Sequence, residues 1–155
     1  MKLSLILIGK TADSRLESLI NEYLDRIKHY VPFEIKTYEP KRGKQDSEAL
    51  IKQQEGELIL KAIPDSADVV LLDERGKQYR SIEFADYLQK KMSSGRDLVF
   101  VVGGPFGFSQ EVYDRANGQI SLSKMTFSHQ MIRLLFTEQI YRAMTILRHE
   151  PYHHE

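Results

Sequence analysis

The stretch Leu98-Val99-Phe100-Val101-Val102-Gly103-Gly104-Pro105-Phe106-Gly107-Phe108-Ser109 decides how the chain is read. Five apolar residues, three of them valine, follow one another without a polar break. That is the pattern of a strand covered on both faces, as in a parallel sheet; a half-exposed strand would alternate. The run stops in three glycines and a proline. Glycine permits positive φ and lets a ligand press on bare main chain, while Pro105 fixes one torsion and keeps the loop bent. Ser109 then caps a short helix. On these residues alone, a ligand loop and a plain strand-to-helix turn stand level.

Working outward, Asp68 to Asp73 is a second nearly continuous apolar run, and Lys2 to Gly9, Phe33 to Tyr38 and Gln119 to Leu122 complete a set of five strands. Helical patterns lie between them. Ser14 opens one with capping-box spacing to Glu17, followed by Leu16, Leu19, Ile20, Tyr23, Leu24 and Ile27 at three- and four-residue steps. The others span Ser47 to Ile63, with Glu55-Gly56 weakening the middle turn, Ser81 to Met92, and His129 to Arg148. Glu74 to Lys77 reads as a turn. Strand and helix alternate from end to end, which predicts an α/β fold, a mainly parallel sheet with helices on both faces. The 155 residues suit one domain spanning 1–155.

Composition narrows the function classes. No apolar run has the length of a membrane span, and Met1 to Gly9 is too short for a signal peptide and lacks a small-residue cleavage site. The absence of cysteine excludes disulfides, a thiol nucleophile and thiolate metal sites, and fits a reducing cytoplasm. Lys plus Arg and Asp plus Glu both number 22. Nucleic-acid binding therefore requires the charges to be segregated onto one face. A P-loop needs Gly-Lys-Ser/Thr, which does not occur, and Gly-Gly-Pro-Phe-Gly does not keep the dinucleotide spacing.

Ligands of open α/β sheets bind outside the carboxyl ends of the strands. Three such ends converge in a parallel sheet: Leu72-Asp73, Gly103-Gly104, and the segment from Ser121 to Ser128, which passes from strand to helix while alternating polar and apolar residues. That segment offers main-chain donors and acceptors beside apolar side chains, a setting for the edges of a purine.

The last helix is apolar on most of its circumference, so it is covered on more than one side, either by a second copy or as the central helix of a monomer. Glu138, Arg142, Thr145 and His149 share one edge, as an exposed ion pair or as a row of site residues. The tail contains a literal His-Glu-x-x-His at His149, Glu150 and His153, but Pro151 breaks the single helical face that a zinc site needs. No metal is expected.

Four ordered segments carry a resemblance over the whole chain. Val-Val-Gly-Gly-Pro-Phe-Gly at 101–107, Leu-Ser-Lys-Met-Thr-Phe-Ser-His at 122–129, Glu-Gln-Ile-Tyr-Arg-Ala at 138–143 and Pro-Tyr-His-His-Glu at 151–155 are similar to the SPOUT, or α/β-knot, methyltransferases of large-subunit ribosomal RNA. The resemblance implies a single-domain α/β fold with a C-terminal trefoil knot. It also implies methyl transfer from S-adenosyl-L-methionine to N3 of a pseudouridine in 23S rRNA of the assembled large subunit or 70S ribosome. It further implies a cytoplasmic homodimer with no membrane or metal partner. The implied cofactor pocket comprises Leu72, Asp73, Gly103, Gly104, Leu122, Ser123, Lys124, Met125, Thr126, Phe127 and Ser128. Ser128 and Gln130 stand where relatives often have proline beside the histidine, and His154 stands where they often have arginine.

On the substrate side, His153 is expected to assist loss of the imide proton, and Arg142 to stabilise a uracil anion or hold a phosphate. Tyr152 is expected to stack on a base, and His129 to orient the tail or the cofactor loop. Lys124, Arg133, Arg142 and Arg148 are expected to form a basic patch rimmed by Lys41, Arg42 and Lys44. Two rival readings are a ribosome-binding module with a vestigial cofactor loop and a flavodoxin-like nucleotide enzyme.

Overall fold

The computed structural model describes residues 1–154 apart from Arg42 and Lys44, so two of the three cations expected at the rim lie outside the described residues. Five strands, β1 (Leu3–Ile8), β2 (Phe33–Tyr38), β3 (Asp68–Gln78), β4 (Leu98–Val102) and β5 (Gly118–Ser121), alternate with five helices, α1 (Ser14–Ile27), α2 (Glu48–Ala62), α3 (Ser81–Ser93), α4 (Gln110–Arg115) and α5 (Met131–Leu147). The strands form one sheet in the order β2-β1-β4-β3-β5, and every pairing is parallel.

The continuous apolar runs belong to the middle of the sheet: every residue of β1 and β4 is buried. Alternate side chains serve opposite faces. Leu3, Leu5, Leu7, Phe100 and Val102 pack with α1, α3 and α5. Ile6, Ile8, Val99 and Val101 pack with α2 and α4. Phe136 of α5 meets Phe100 edge-on at 4.8 Å and Phe84 of α3 at 5.9 Å, which anchors the last helix over the centre of the sheet. Gly56 does not break α2. A β-carbon there would lie 2.4 Å from Ser109 Oγ, so the glycine lets the start of α4 approach α2.

Some local readings change. Asp13, not Ser14, caps α1, because its carboxylate reaches the Arg15 amide at 2.8 Å. The segment 74–77 is not a turn. β3 continues through it to Gln78 with a register shift, so Leu72 and Lys77 both pair with Ile120. One strand therefore clasps β5 twice. From β5 the chain crosses the sheet ends to enter α5, which packs against both α1 and α3. The edge strand is thus held in a clasp, and the final helix re-enters beside two earlier ones.

Arg133 is also placed differently from the basic patch assigned to it. It is wholly buried at the start of α5. Its NH2 donates to Ile8 O at 2.7 Å, NH1 to Gly9 O at 2.9 Å and to Thr11 Oγ1 at 3.0 Å, and Nε to His129 O at 3.2 Å.

Gly76 makes the clasp possible: a β-carbon there would stand 2.6 Å from the main chain of Ile120. Gly76→Ala must lift the β3 excursion from β5, and urea unfolding should show a loss of about 1–3 kcal/mol. An unchanged midpoint would mean that the clasp tolerates a methyl group.

Candidate active site

The carboxyl ends of β3, β4 and β5 enclose a cavity of about 420 Å³. Its floor comes from Leu72, Val102, Gly103 and Gly104, and its outer wall from Leu122, Ser123, Met125, Thr126 and Phe127. Asp73 enters from β3 where its register against β5 shifts, and His129 from the turn before α5. All of these except Val102 are residues that the sequence placed at the ligand site or its loop. Lys124 and Ser128 are not among the lining residues. Lys124 is exposed, and the Ser128 hydroxyl accepts from the Met131 amide at 3.0 Å, capping α5.

The glycines serve close approach more than unusual torsion. A β-carbon on Gly103 would meet the Phe108 ring at 3.0 Å, and one on Gly104 would meet the Glu55 carboxylate at 2.6 Å. Of the three, only Gly107 has positive φ, at +82°. The outer wall is shaped by its own hydroxyls. Ser121 Oγ donates to Ser123 O at 2.8 Å, Ser123 Oγ accepts from the Met125 amide at 2.9 Å, and Thr126 Oγ1 donates to Glu74 at 3.2 Å. With those hydroxyls engaged, the wall presents mainly backbone to a ligand. Gln130 ties this wall to the loop after β1, accepting from the Ala12 amide at 2.8 Å and donating to Lys10 O at 3.1 Å. An amide anchored at both ends thus does the stiffening that a proline would otherwise do.

Tyr113, Glu74, Arg75 and Ile132 also line the cavity, and sequence reasoning missed them. The Tyr113 hydroxyl donates to Asp73, Arg75 donates to Asp73 from its amide at 2.9 Å and from Nε at 3.3 Å, and its guanidinium lies 4.9 Å from the Tyr113 ring centroid. Burial pushes the Asp73 carboxyl up, but these hydrogen bonds outweigh it and hold the group below the ordinary carboxylate range. Burial and the bond to Asp73 push the Tyr113 phenol up. The signal available in the sequence was the Asp73–Arg75 spacing; Tyr113 joins across 40 residues, which no local pattern reveals.

The residues are chemically suited to an adenosyl sulfonium. Bare main chain and apolar walls accept a nucleoside, and the carboxylates of Asp73 and Glu74 offset positive charge.

The other expected site residues form a separate cluster. α5 ends in a Schellman turn, in which the Glu150 amide donates to Thr145 O at 2.9 Å and the His149 amide to Ile146 O at 3.1 Å. His149 takes the left-handed conformation, with φ +56°. His149 and His153 therefore do not share a helical face, and among the described residues no three His, Cys, Asp or Glu side chains converge on a metal position. The tail folds back along α1 and α5. Tyr30 donates to Glu150 at 2.7 Å, a bond that pushes its phenol up to about 12. Tyr152 donates to Glu138 at 2.9 Å and meets the Tyr141 ring edge-on at 4.7 Å. Glu138 and Arg142 pair at 2.7 Å, and Arg142 reaches His153. Thr145 is buried and donates to Arg142 O at 2.7 Å, so the row along the helix edge narrows to Glu138 and Arg142, joined by Tyr152 and His153.

The chain was compared with known proteins. A family model described as "Predicted SPOUT methyltransferase" matches residues 1–153. The chain is 59% identical to ribosomal RNA large subunit methyltransferase H of Parabacteroides distasonis over the full length of both. It is 56% identical to the protein of the same name from Christiangramia forsetii over 99% of each, and 52% identical to that of Phocaeicola vulgatus over the full length of both. SPOUT methyltransferases are knotted α/β proteins that use S-adenosylmethionine. The clasped edge strand, the main-chain-lined cavity and the match through residues 1–153 agree, and the chain belongs to the SPOUT methyltransferase family.

Proposed function

We propose that this protein methylates N3 of a pseudouridine in 23S ribosomal RNA of the assembled large subunit or 70S ribosome, in the cytoplasm and as a homodimer. The observation that carries the RNA reading is full-length identity to relatives named for large-subunit rRNA methylation, joined to a cavity suited to their methyl donor. S-adenosylmethionine supplies an electrophilic methyl group on a positively charged sulfur. Asp73, fixed by Tyr113 and Arg75, faces that charge, and Gly103, Gly104 and the wall from Leu122 to Phe127 grip the nucleoside through main chain. Lys124 and Ser128 act at one remove, Lys124 toward the RNA and Ser128 by fixing the wall to α5. Reaction then depends on positioning: the residues hold donor and acceptor in line and keep water out.

The separation of the two clusters supports the homodimer. His129 and Ile132 line the cavity, whereas Arg142 lies ten residues further along α5, about 15 Å at the helical rise. The Arg142–Tyr152–His153 cluster of one chain does not face its own cavity. In a two-fold pair it faces the partner's. Met131, 45% exposed, and the half-buried Leu134 and Leu135 give α5 an apolar face for such a contact. In this arrangement Arg142, Tyr152 and His153 meet the base, and His129 orients the cofactor wall. Arg148, already stacked on Tyr30 at 4.8 Å, adds positive charge beside them.

Calorimetry should show saturable binding of S-adenosylmethionine to the wild-type protein. Gly104→Ala forces a methyl group against Glu55 and should weaken that binding about tenfold, or 1.4 kcal/mol. An adaptor with a vestigial loop would give no saturable heat. Two inactive variants, Gly104→Val and Arg142→Ala, should complement on mixing. Random reassortment of a two-fold dimer leaves about one quarter of the sites with both functional halves. Mixed dimers that stay inactive would place both halves of the site in one chain.

A further inference from the structure

We propose that Glu138 is the positioning residue of the tail and that, acting through Arg142, it fixes His153 in the tautomer that donates from Nε2. His153 and Arg142 are then paired donors to an ionised imide base, and His153 does not take the imide proton. The substrate in this proposal rests on the reading above; the tautomer is a property of the free protein.

One oxygen organises the cluster. Glu138 Oε1 accepts from Arg142 Nε at 3.1 Å, from Arg142 NH2 at 2.7 Å and from the Tyr152 hydroxyl at 2.9 Å, while Oε2 accepts from Gln139 at 3.0 Å. Arg142 NH1 stands 3.1 Å from His153 Nδ1. A guanidinium has donors only, so Nδ1 is the acceptor and the proton of the neutral ring is on Nε2. The Arg142 guanidinium also lies 4.7 Å from the Tyr152 ring centroid, and the Tyr152 hydroxyl is 3.5 Å from that of Tyr23. Three of the five guanidinium hydrogens are engaged in these bonds, leaving one N–H on each terminal nitrogen. The side chain is 25% exposed, so those donors are within reach of a ligand.

An imide that loses its N3 proton spreads the charge over N3 and the two flanking carbonyl oxygens. Two fixed donors suit that edge better than an acceptor does. The step balances without a protein base. The N3 proton leaves to solvent hydroxide or water, the N3 electron pair forms a bond to the methyl carbon, and the carbon–sulfur bond breaks with its pair remaining on sulfur. Among the groups around His153, Arg142 contacts the ring and is itself held by Glu138 of α5 and stacked on Tyr152 of the tail, with Tyr23 and Arg26 of α1 behind the aromatic layer. Burial and hydrogen bonds with Tyr23 and Glu138 push the Tyr152 phenol well above its ordinary value, so it does not titrate near neutrality.

Ring ¹⁵N NMR of the free protein reads the tautomer. The His153 signals, assigned by their loss in His153→Gln, should show a protonated Nε2 and a bare Nδ1, and Glu138→Gln should mix the tautomers. Single-turnover methylation of purified ribosomes at saturating cofactor gives the second test. His153→Gln keeps an N–H donor and should stay within about tenfold of wild type, whereas His153→Ala and Glu138→Gln should lose about 10²-fold. The wild-type rate should climb from about pH 6 to about pH 8.5 without an imidazole-range break. A protonated Nδ1, or equal losses in His153→Gln and His153→Ala together with a wild-type break that both remove, would overturn the proposal. Failure of the wild-type protein to methylate ribosomes would refute the substrate reading alone, and the spectrum would still decide the tautomer.

Discussion

The arrangement of this molecule depends on one buried cation. Arg133 enters the sheet end at the first turn of α5 and meets the carbonyls of Ile8, Gly9 and His129 and the hydroxyl of Thr11. Taking a guanidinium out of water is expensive unless its donors are satisfied, and an empty socket would leave several carbonyls unpaired as well. Both costs favour a single placement of α5 relative to β1. That placement sets everything on either side of Arg133 in the chain. Upstream, the wall from Leu122 to Phe127 is drawn across the ends of β3 and β4. Downstream, α5 runs between α1 and α3, and the tail reaches Tyr30 and Tyr23. A threaded chain end needs such a lock, because the apolar packing of a helix tolerates sliding and rotation that a set of directed hydrogen bonds does not.

Much of the fold was legible because burial is written into composition. β1 and β4 lack alternation and lie at the sheet centre; β2 alternates more and lies at the edge. The three strand ends named from the sequence do surround one cavity, since parallel strands leave their carboxyl ends on the same side. What escaped was non-local. Nothing in Glu74-Arg75-Gly76-Lys77 distinguishes a turn from a strand that doubles over a neighbour, because the deciding contact is with Ile120, more than forty residues on. Arg133 looked like surface charge for the same reason: its partners are main-chain carbonyls, and carbonyls have no sequence signature. The Tyr113–Asp73 bond was invisible on similar grounds. On the edge of α5, Glu138 and Arg142 were set out by helical spacing, but their link to Tyr152 and His153 depends on the Schellman turn, which places histidine where glycine is usual.

The neutral net charge fits this division of labour. Asp73 and Glu74 line the cavity together with Arg75, whereas Arg142 and Arg148 lie along the far end of α5 and the tail. A positively charged donor and a negatively charged nucleic acid make opposite demands, and the proposed function has the chain meet both by holding them a helix length apart. In the proposed two-fold pair the two ends come together, so the site would combine two potentials that one continuous surface would partly cancel.

The acidic side of the cavity has a further consequence. In the proposed function Asp73 and Glu74 attract a sulfonium through its formal charge, and that charge is lost when the methyl group departs. Hydrogen bonds from Tyr113 and Arg75 hold Asp73 ionised against burial, so in the proposed site this carboxylate favours the charged donor over the neutral spent product. Main-chain contacts from Gly103, Gly104 and the outer wall cannot make that distinction, since both molecules share the same nucleoside. In the proposed site two kinds of contact therefore do separate work: backbone fixes where the nucleoside lies, and a pre-ionised carboxylate favours the form that still carries a methyl group. The first needs glycine and a tied loop. The second needs a hydroxyl on a different helix, which is why Tyr113 belongs to the site although no motif contains it.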